Sequence, residues 1–257
     1  MPEMKKTLEK MGRKSMLCMG IDPEETSLQR YFELLEAAAD DICTVKFNYA
    51  FFSEGRFDGL KSLIAHAKEN GYFTILDGKR ADIGNTNKHY LREMEYFGAD
   101  ACTLNPYMGV DSFEGFENAY ILCRTTNEGS EKIQKLKVGA KGNYLYEYVA
   151  EIAKQKGFGL VVGALDAEAL RKTAKLGVPL LIPGIGAQGG SINGCLKVLR
   201  SSCPKVGGFP VLQHRLNVSR AIIYAKGEKT TIDDSLEAIK KMNKEIQIAS
   251  ALLWPST

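Results

Sequence analysis

Short apolar runs that end in a polar or charged residue alternate with longer amphipathic segments along most of the chain. The runs Ser15–Asp22, Ile42–Phe47, Tyr72–Leu76, Ala101–Leu104, Ala119–Arg124, Gly159–Gly163, Pro179–Pro183 and Leu216–Ser219 read as buried strands. Helical spacing runs between them. Leu28–Ala39 carries Leu28, Tyr31, Phe32, Leu34, Leu35 and Ala38 on one face, and Glu3–Met11, Phe57–Asn70, Asn87–Phe97, Tyr144–Lys156, Ala167–Leu176, Ile192–Leu199 and Ile232–Leu252 repeat the pattern. Gly71, Gly98, Gly157 and Gly177 stand where a left-handed residue stops a helix. A short helix is expected within Gly109–Asn118, and Ser201–Arg215, rich in Gly and Pro, gives no pattern.

Strand and helix alternate without a break in composition, which predicts a parallel sheet covered by helices. About eight strands in 257 residues match a (β/α)8 TIM barrel, an α/β fold, as a single domain over 1–257; a doubly wound open sheet is the alternative. With 44% hydrophobic and 25% charged residues the composition is ordinary for a globular protein. The net charge of +3 gives no case for nucleic acid or an anionic membrane. No apolar run approaches the roughly 20 residues of a bilayer span, and the first residues are charged and helical in pattern, unlike a signal peptide. Six scattered cysteines, none in C-x-x-C, suit a reduced, cytoplasmic setting. His66, His89 and His214 lie far apart, so neither a metal site nor a His-based triad is expected.

Candidate chemistry lies at the strand ends, where a barrel carries its active site. Those ends offer Asp22, Lys46, Asp77 with Lys79, Asn105, Thr126, Gln188 and Arg220. In I-L-D-G-K-R-A-D-I-G-N-T (Ile75–Thr86) the signs alternate from Asp77 to Lys79 to Asp82. Residues i and i+2 of a strand share a face, so Asp77 and Lys79 should project together. Pro183–Gly190 is a glycine-rich loop whose amides suit an anion, and Arg220 after the last strand offers a guanidinium fork. Barrels often bind phosphate through the loops after strands seven and eight.

The stretch D-G-K-R-A-D-I-G-N-T resembles the D-x-K-x-x-D-I-x-x-T signature of the orotidine 5′-phosphate decarboxylase family. V-K-F-N, with Lys46, and G-I-D-P, with Asp22, resemble its second- and first-strand motifs. P-G-I-G-A-Q-G-G resembles its phosphate loop and V-S-R-A-I-I-Y-A its last-strand arginine segment. L-N-P-Y-M-G and C-R-T-T-N-E-G-S resemble loops of the longer bacterial-type branch, so the likeness covers nearly the whole chain. The family commonly has Ser where Thr126 stands and often Pro where Glu128 stands, and the Thr126 methyl bears on the fit to the base.

The resemblance implies decarboxylation of orotidine 5′-monophosphate to uridine 5′-monophosphate in pyrimidine biosynthesis, with no metal and no cofactor. Lys79 would protonate C6 and Asp77 would face the substrate carboxylate. Asp82, with Ile83 and Thr86, would reach the neighbouring site of a homodimer. Lys46 and Asp22 would hold the ribose hydroxyls, Gln188 and Arg220 the phosphate, and Thr126 the pyrimidine. Two other readings are a magnesium-dependent sugar-phosphate decarboxylase or synthase of the same barrel family, and a non-catalytic nucleotide-phosphate binding barrel. The first carries an acidic residue where Lys46 stands here, and the second has no need of the intact charged motif.

Overall fold

The computed structural model describes residues 2–25, 27–186, 188–202 and 211–254. Eight parallel strands close into a barrel: β1 (Leu17–Ile21), β2 (Thr44–Asn48), β3 (Phe73–Arg80), β4 (Ala101–Leu104), β5 (Ala119–Arg124), β6 (Gly159–Val162), β7 (Leu180–Ile182) and β8 (Arg215–Val218). Each pairs with its sequence neighbours, and β8 closes on β1 through Leu17 opposite Leu216. All eight expected strands are present within a few residues of their predicted bounds. The open sheet is excluded because β1 and β8 share hydrogen bonds.

The principal helices are α1 (Pro2–Gly12), α2 (Gln29–Ala37), α3 (Phe57–Glu69), α4 (Gly84–Phe97), α5 (Ser130–Gln134), α6 (Leu145–Lys156), α7 (Ala167–Ala174), α8 (Ile192–Ser202), α9 (Arg220–Ile223) and α10 (Ile232–Leu253). Gly71, Gly98, Gly157 and Gly177 all take positive φ, as helix stops require. Thr231 and Asp234 form a capping box that starts α10. The helix expected within Gly109–Asn118 is limited to one 3-10 turn, Asp111–Phe113, preceded by another at Pro106–Met108. Gly109 stands between them at φ +94, outside any helical conformation. A hairpin of Lys137–Val138 with Asn143–Tyr144 was not expected, since two-residue strands leave no periodicity to read. Of the unpatterned Ser201–Arg215 segment, α8 takes the first two residues and β8 begins at Arg215. Residues 203–210, Cys203 among them, lie outside the described residues.

Two apolar layers hold the barrel. The larger lies between strands and helices, and the smaller fills the interior. Met4 and Leu8 of α1 close the N-terminal end of the barrel against Cys18, Phe73, Ile75 and Tyr120. Arg215, fully buried at that end, donates to the carbonyl oxygens of Leu8, Leu212 and His214 and to Thr44 Oγ1. With one end closed in this way, access to the interior is from the C-terminal ends of the strands.

Candidate active site

Those C-terminal strand ends surround a cavity of about 500 Å³. Of the sequence-predicted residues, Asp22, Lys46, Asp77, Lys79, Thr126, Gln188 and Arg220 line it together. Asn105 does not: its Oδ1 accepts from the Tyr107 amide at 3.1 Å, capping a 3-10 turn.

A row of alternating charges forms one wall. Lys46 Nζ lies 3.7 Å from Asp22 Oδ1 and donates to Asp77 Oδ2 at 2.9 Å. Lys79 Nζ donates to Asp77 Oδ1 at 2.8 Å. Lys46 is 5% exposed and Asp77 8%, so these charges are stable only as partners. Burial disfavours the Lys46 ammonium, but the Asp77 and Asp22 carboxylates outweigh it and hold its pKa above the ordinary lysine value. Burial likewise works against ionised Asp77, yet Lys46 and Lys79 hold its pKa well below the usual carboxylate range. Asp22 Oδ1 and Asn217 Oδ1 are buried acceptors without a hydrogen-bond partner among the described residues. Both side chains line the cavity, where a hydroxyl donor of a ligand would satisfy them.

Asp77 and Lys79 do converge, though not by simple strand alternation. The β3–β4 register runs from Leu76 opposite Cys102 to Arg80 opposite Leu104, so β3 carries two extra residues over this step. Such a bulge re-aims side chains at a strand end. Lys79 sits in it at φ +49, a non-glycine left-handed conformation that costs roughly 1–3 kcal/mol. Its backbone amide donates to Thr103 Oγ1 of β4 at 2.9 Å, and that hydroxyl donates to Asp77 Oδ1 at 2.8 Å.

Asp82 lies outside this row. Its Oδ1 accepts from the Ile83 amide at 2.7 Å, and among the described residues Lys79 pairs with Asp77 alone. Ile83 is 62% exposed and Thr86 is exposed, so the second half of the motif faces away from its own cavity. Asn87, buried at the start of α4, fixes this turn by donating to the carbonyl oxygens of Asp82 and Ser112.

On the opposite wall, the Thr126 methyl fills the space left by two glycines. A Cβ at Gly163 would lie 2.5 Å from Thr126 Cγ2, and one at Gly184 3.0 Å. The methyl that departs from the common family serine therefore packs on a glycine wall. The segment that carries it is held by Arg124, 4% exposed, which donates to the Thr125 carbonyl and pairs with Asp166 at 2.9 Å and with Glu131. In the glycine loop the amides of Gly186, Gly189 and Gly190 bond to carbonyls of the loop itself. They are thus occupied, while the Gln188 and Arg220 side chains line the cavity beside the loop. No salt bridge or hydrogen bond holds the Arg220 guanidinium among the described residues. Leu122, Val161 and Leu181, inward residues of consecutive strands, give the cavity an apolar floor.

Sequence reasoning missed Thr103, Asn217 and this floor, all at inward strand positions that read as core packing. Among the described residues no three or more His, Cys, Asp or Glu side chains form a group suited to a metal ion. Nor is any helix there long and apolar enough to cross a membrane.

A model of the "Orotidine 5′-phosphate decarboxylase / HUMPS family" matches residues 15–239. An orotidine 5′-phosphate decarboxylase of Azoarcus sp. is 40% identical over 245 residues, covering 84% of this chain and 87% of that protein. The one from Cupriavidus necator is 38% identical over 243 residues, covering 84% and 86%. Among solved structures, Leishmania donovani OMP decarboxylase matches with a TM-score of 0.78 and 30% identity over 96% of this chain and 98% of that one. Leishmania donovani UMP synthase matches with a TM-score of 0.81 and 31% identity over 97% of this chain, which spans 56% of that longer protein.

Proposed function

The chain belongs to the orotidine 5′-phosphate decarboxylase / HUMPS family, and on that footing we propose that it converts orotidine 5′-monophosphate to uridine 5′-monophosphate and carbon dioxide in pyrimidine biosynthesis. The observation that carries this reading is the row Asp22–Lys46–Asp77–Lys79 on one wall of a cavity that also holds Gln188 and Arg220. A cytoplasmic setting goes with it, in keeping with five buried, free cysteines among the described residues.

Arg220 and Gln188 take the substrate phosphate at the cavity mouth. Asp22 and Lys46 hold the ribose hydroxyls, and Thr126 adjoins the pyrimidine. The substrate carboxylate then lies beside Asp77. Two such charges about 4 Å apart repel by roughly 4 kcal/mol at an effective dielectric near 20. Binding energy from the remote phosphate holds the carboxylate there. As the C6–carboxylate bond breaks, its electron pair stays on C6 and neutral carbon dioxide departs, which relieves the repulsion. The Lys79 ammonium stabilises the developing carbanion and donates a proton to C6, becoming the neutral amine. One C–C bond breaks, one C–H bond forms, and nothing is oxidised or reduced.

The reading extends to a homodimer in which Asp82, Ile83 and Thr86 serve the neighbouring site. Its support is the outward turn of Asp82 and the exposed apolar groups on neighbouring loops, Ile83 at 62% and Tyr107 at 87%. The magnesium-dependent alternative is disfavoured because the Lys46 ammonium occupies the space between Asp22 and Asp77 where a cation would sit. The test is loss of the orotate absorbance with purified protein in EDTA. Turnover is expected to persist there, and turnover abolished by EDTA but restored by magnesium would favour the alternative.

A further inference from the structure

We infer that Thr103 is a positioning residue for the decarboxylation, its hydroxyl fixing both the Asp77 carboxylate and the backbone from which the Lys79 ammonium extends. The inference rests on the decarboxylase reading and concerns a residue outside the charged motif. Thr103 lies on β4 between Cys102 and Leu104, the two residues that flank the β3 bulge. It is 1% exposed as a residue and its side chain borders the cavity.

The direction of both hydrogen bonds is set by elementary chemistry. A backbone N–H only donates, so the Thr103 oxygen accepts from Lys79 N at 2.9 Å. An ionised carboxylate only accepts, so the hydroxyl hydrogen goes to Asp77 Oδ1 at 2.8 Å. That one oxygen of Asp77 thus takes Thr103 and Lys79, while Oδ2 takes Lys46. The two lysines are the charges that work on the substrate. Thr103 is the neutral donor that keeps the carboxylate plane from turning to follow either of them.

The amide bond matters as much. The bulge displaces Lys79 N–H from regular ladder pairing, and β4 resumes only where Asn105 N donates to Arg80 O at 2.8 Å. A side-chain acceptor on β4 holds a part-buried donor that regular pairing has lost. It also holds Lys79 at φ +49, the conformation that returns the side chain toward Asp77. A valine has the same shape and neither bond, so the donor is left unmet and Lys79 is free to take an ordinary strand conformation.

The test compares the wild type with Thr103→Val and Thr103→Ser in kcat, KM, the affinity for uridine 5′-monophosphate and the melting temperature. A misplacement of order 1 Å at a reacting group costs about a hundredfold. Thr103→Val is expected to lose about that much kcat. Its KM and nucleotide affinity are expected to stay near the wild-type values, since the phosphate and ribose contacts are untouched. Thr103→Ser keeps the hydroxyl and is expected to recover most of the rate. If Thr103→Val does not fold, Thr103→Ala carries the same comparison. Near-wild-type turnover in the hydroxyl-free variants, a fall of turnover and nucleotide binding in equal measure, or a serine variant as slow as the valine one would overturn the inference. An inactive wild type would overturn the decarboxylase reading and the inference with it.

Discussion

Lys79 Nζ lies 2.8 Å from Oδ1 of Asp77, the residue two places before it in the same strand. In an extended strand that contact needs only alternation. Here it is made across a bulge, by a lysine in a left-handed conformation. The arrangement leaves Lys79 half exposed toward the cavity while Asp77 is buried behind it. In the proposed mechanism the group that delivers the proton is thereby accessible, and the group that repels the substrate carboxylate stays desolvated and charged.

The outward turn of Asp82 leads to a complementation experiment. Lys79→Ala and Asp82→Ala chains are each expected to be nearly inactive. In a mixed form of the proposed dimer, the site built from the Asp82→Ala chain's Lys79 and the Lys79→Ala chain's Asp82 would be intact. With random exchange half the dimers are mixed and each has one working site, so about a quarter of the wild-type rate should return. No recovery despite verified subunit exchange would count against a shared site.

The glycine wall behind Thr126 predicts a rescue. Gly163→Ala brings a Cβ to 2.5 Å from the Thr126 methyl, closer than real contacts permit. The single variant should raise KM for the nucleotide as the Thr126 segment shifts. Thr126→Ser removes the methyl, so the double variant Gly163→Ala, Thr126→Ser should recover toward wild type. Additive losses in steady-state kinetics would mean that the two side chains do not share this space.

His214 predicts an acid-side loss of stability that is separate from catalysis. It is fully buried, its Nδ1 accepts from Leu180 N at 3.1 Å, and burial, with Arg215 and Lys5 nearby, lowers its pKa from 6.5 to about 3. The folded form stays neutral while the unfolded chain takes up a proton near pH 6.5. Its contribution is therefore complete above that pH and is lost as the pH falls toward about 3. One proton is worth about 1.4 kcal/mol per pH unit. Between pH 7 and pH 5 the wild type should lose about 2 kcal/mol more than His214→Asn, as read by urea unfolding. Equal losses would show that His214 takes up its proton alike in the folded and unfolded states.

The eight strands were legible because each is a short, largely apolar run with a polar end, and the row at their ends was legible once a barrel was assumed. Asp22, Lys46, Asp77 and Lys79 are charges in apolar surroundings, and such charges must find one another. Thr103 was not legible. In A-C-T-L a threonine is an ordinary strand former, and only the bulge opposite gives its hydroxyl two partners. Arg124 was hidden for a different reason, since its partner Asp166 lies 42 residues on. Spacing along the sequence also cannot show that Asp82 leaves the row while Asp77 and Lys79 stay in it, because that depends on the turn fixed by Asn87.

The central claim is that Lys79 delivers the proton that completes a metal-independent decarboxylation. The measurement that meets it most directly is the conversion of orotidine 5′-monophosphate by wild-type and Lys79→Ala protein in EDTA, with binding of uridine 5′-monophosphate followed in parallel. The wild type should release one carbon dioxide per uridine 5′-monophosphate formed, while Lys79→Ala binds the nucleotide but loses turnover by at least about a thousandfold. A Lys79→Ala protein that turns over at a near-wild-type rate, or a wild type that binds the nucleotide and releases no carbon dioxide, would contradict the account.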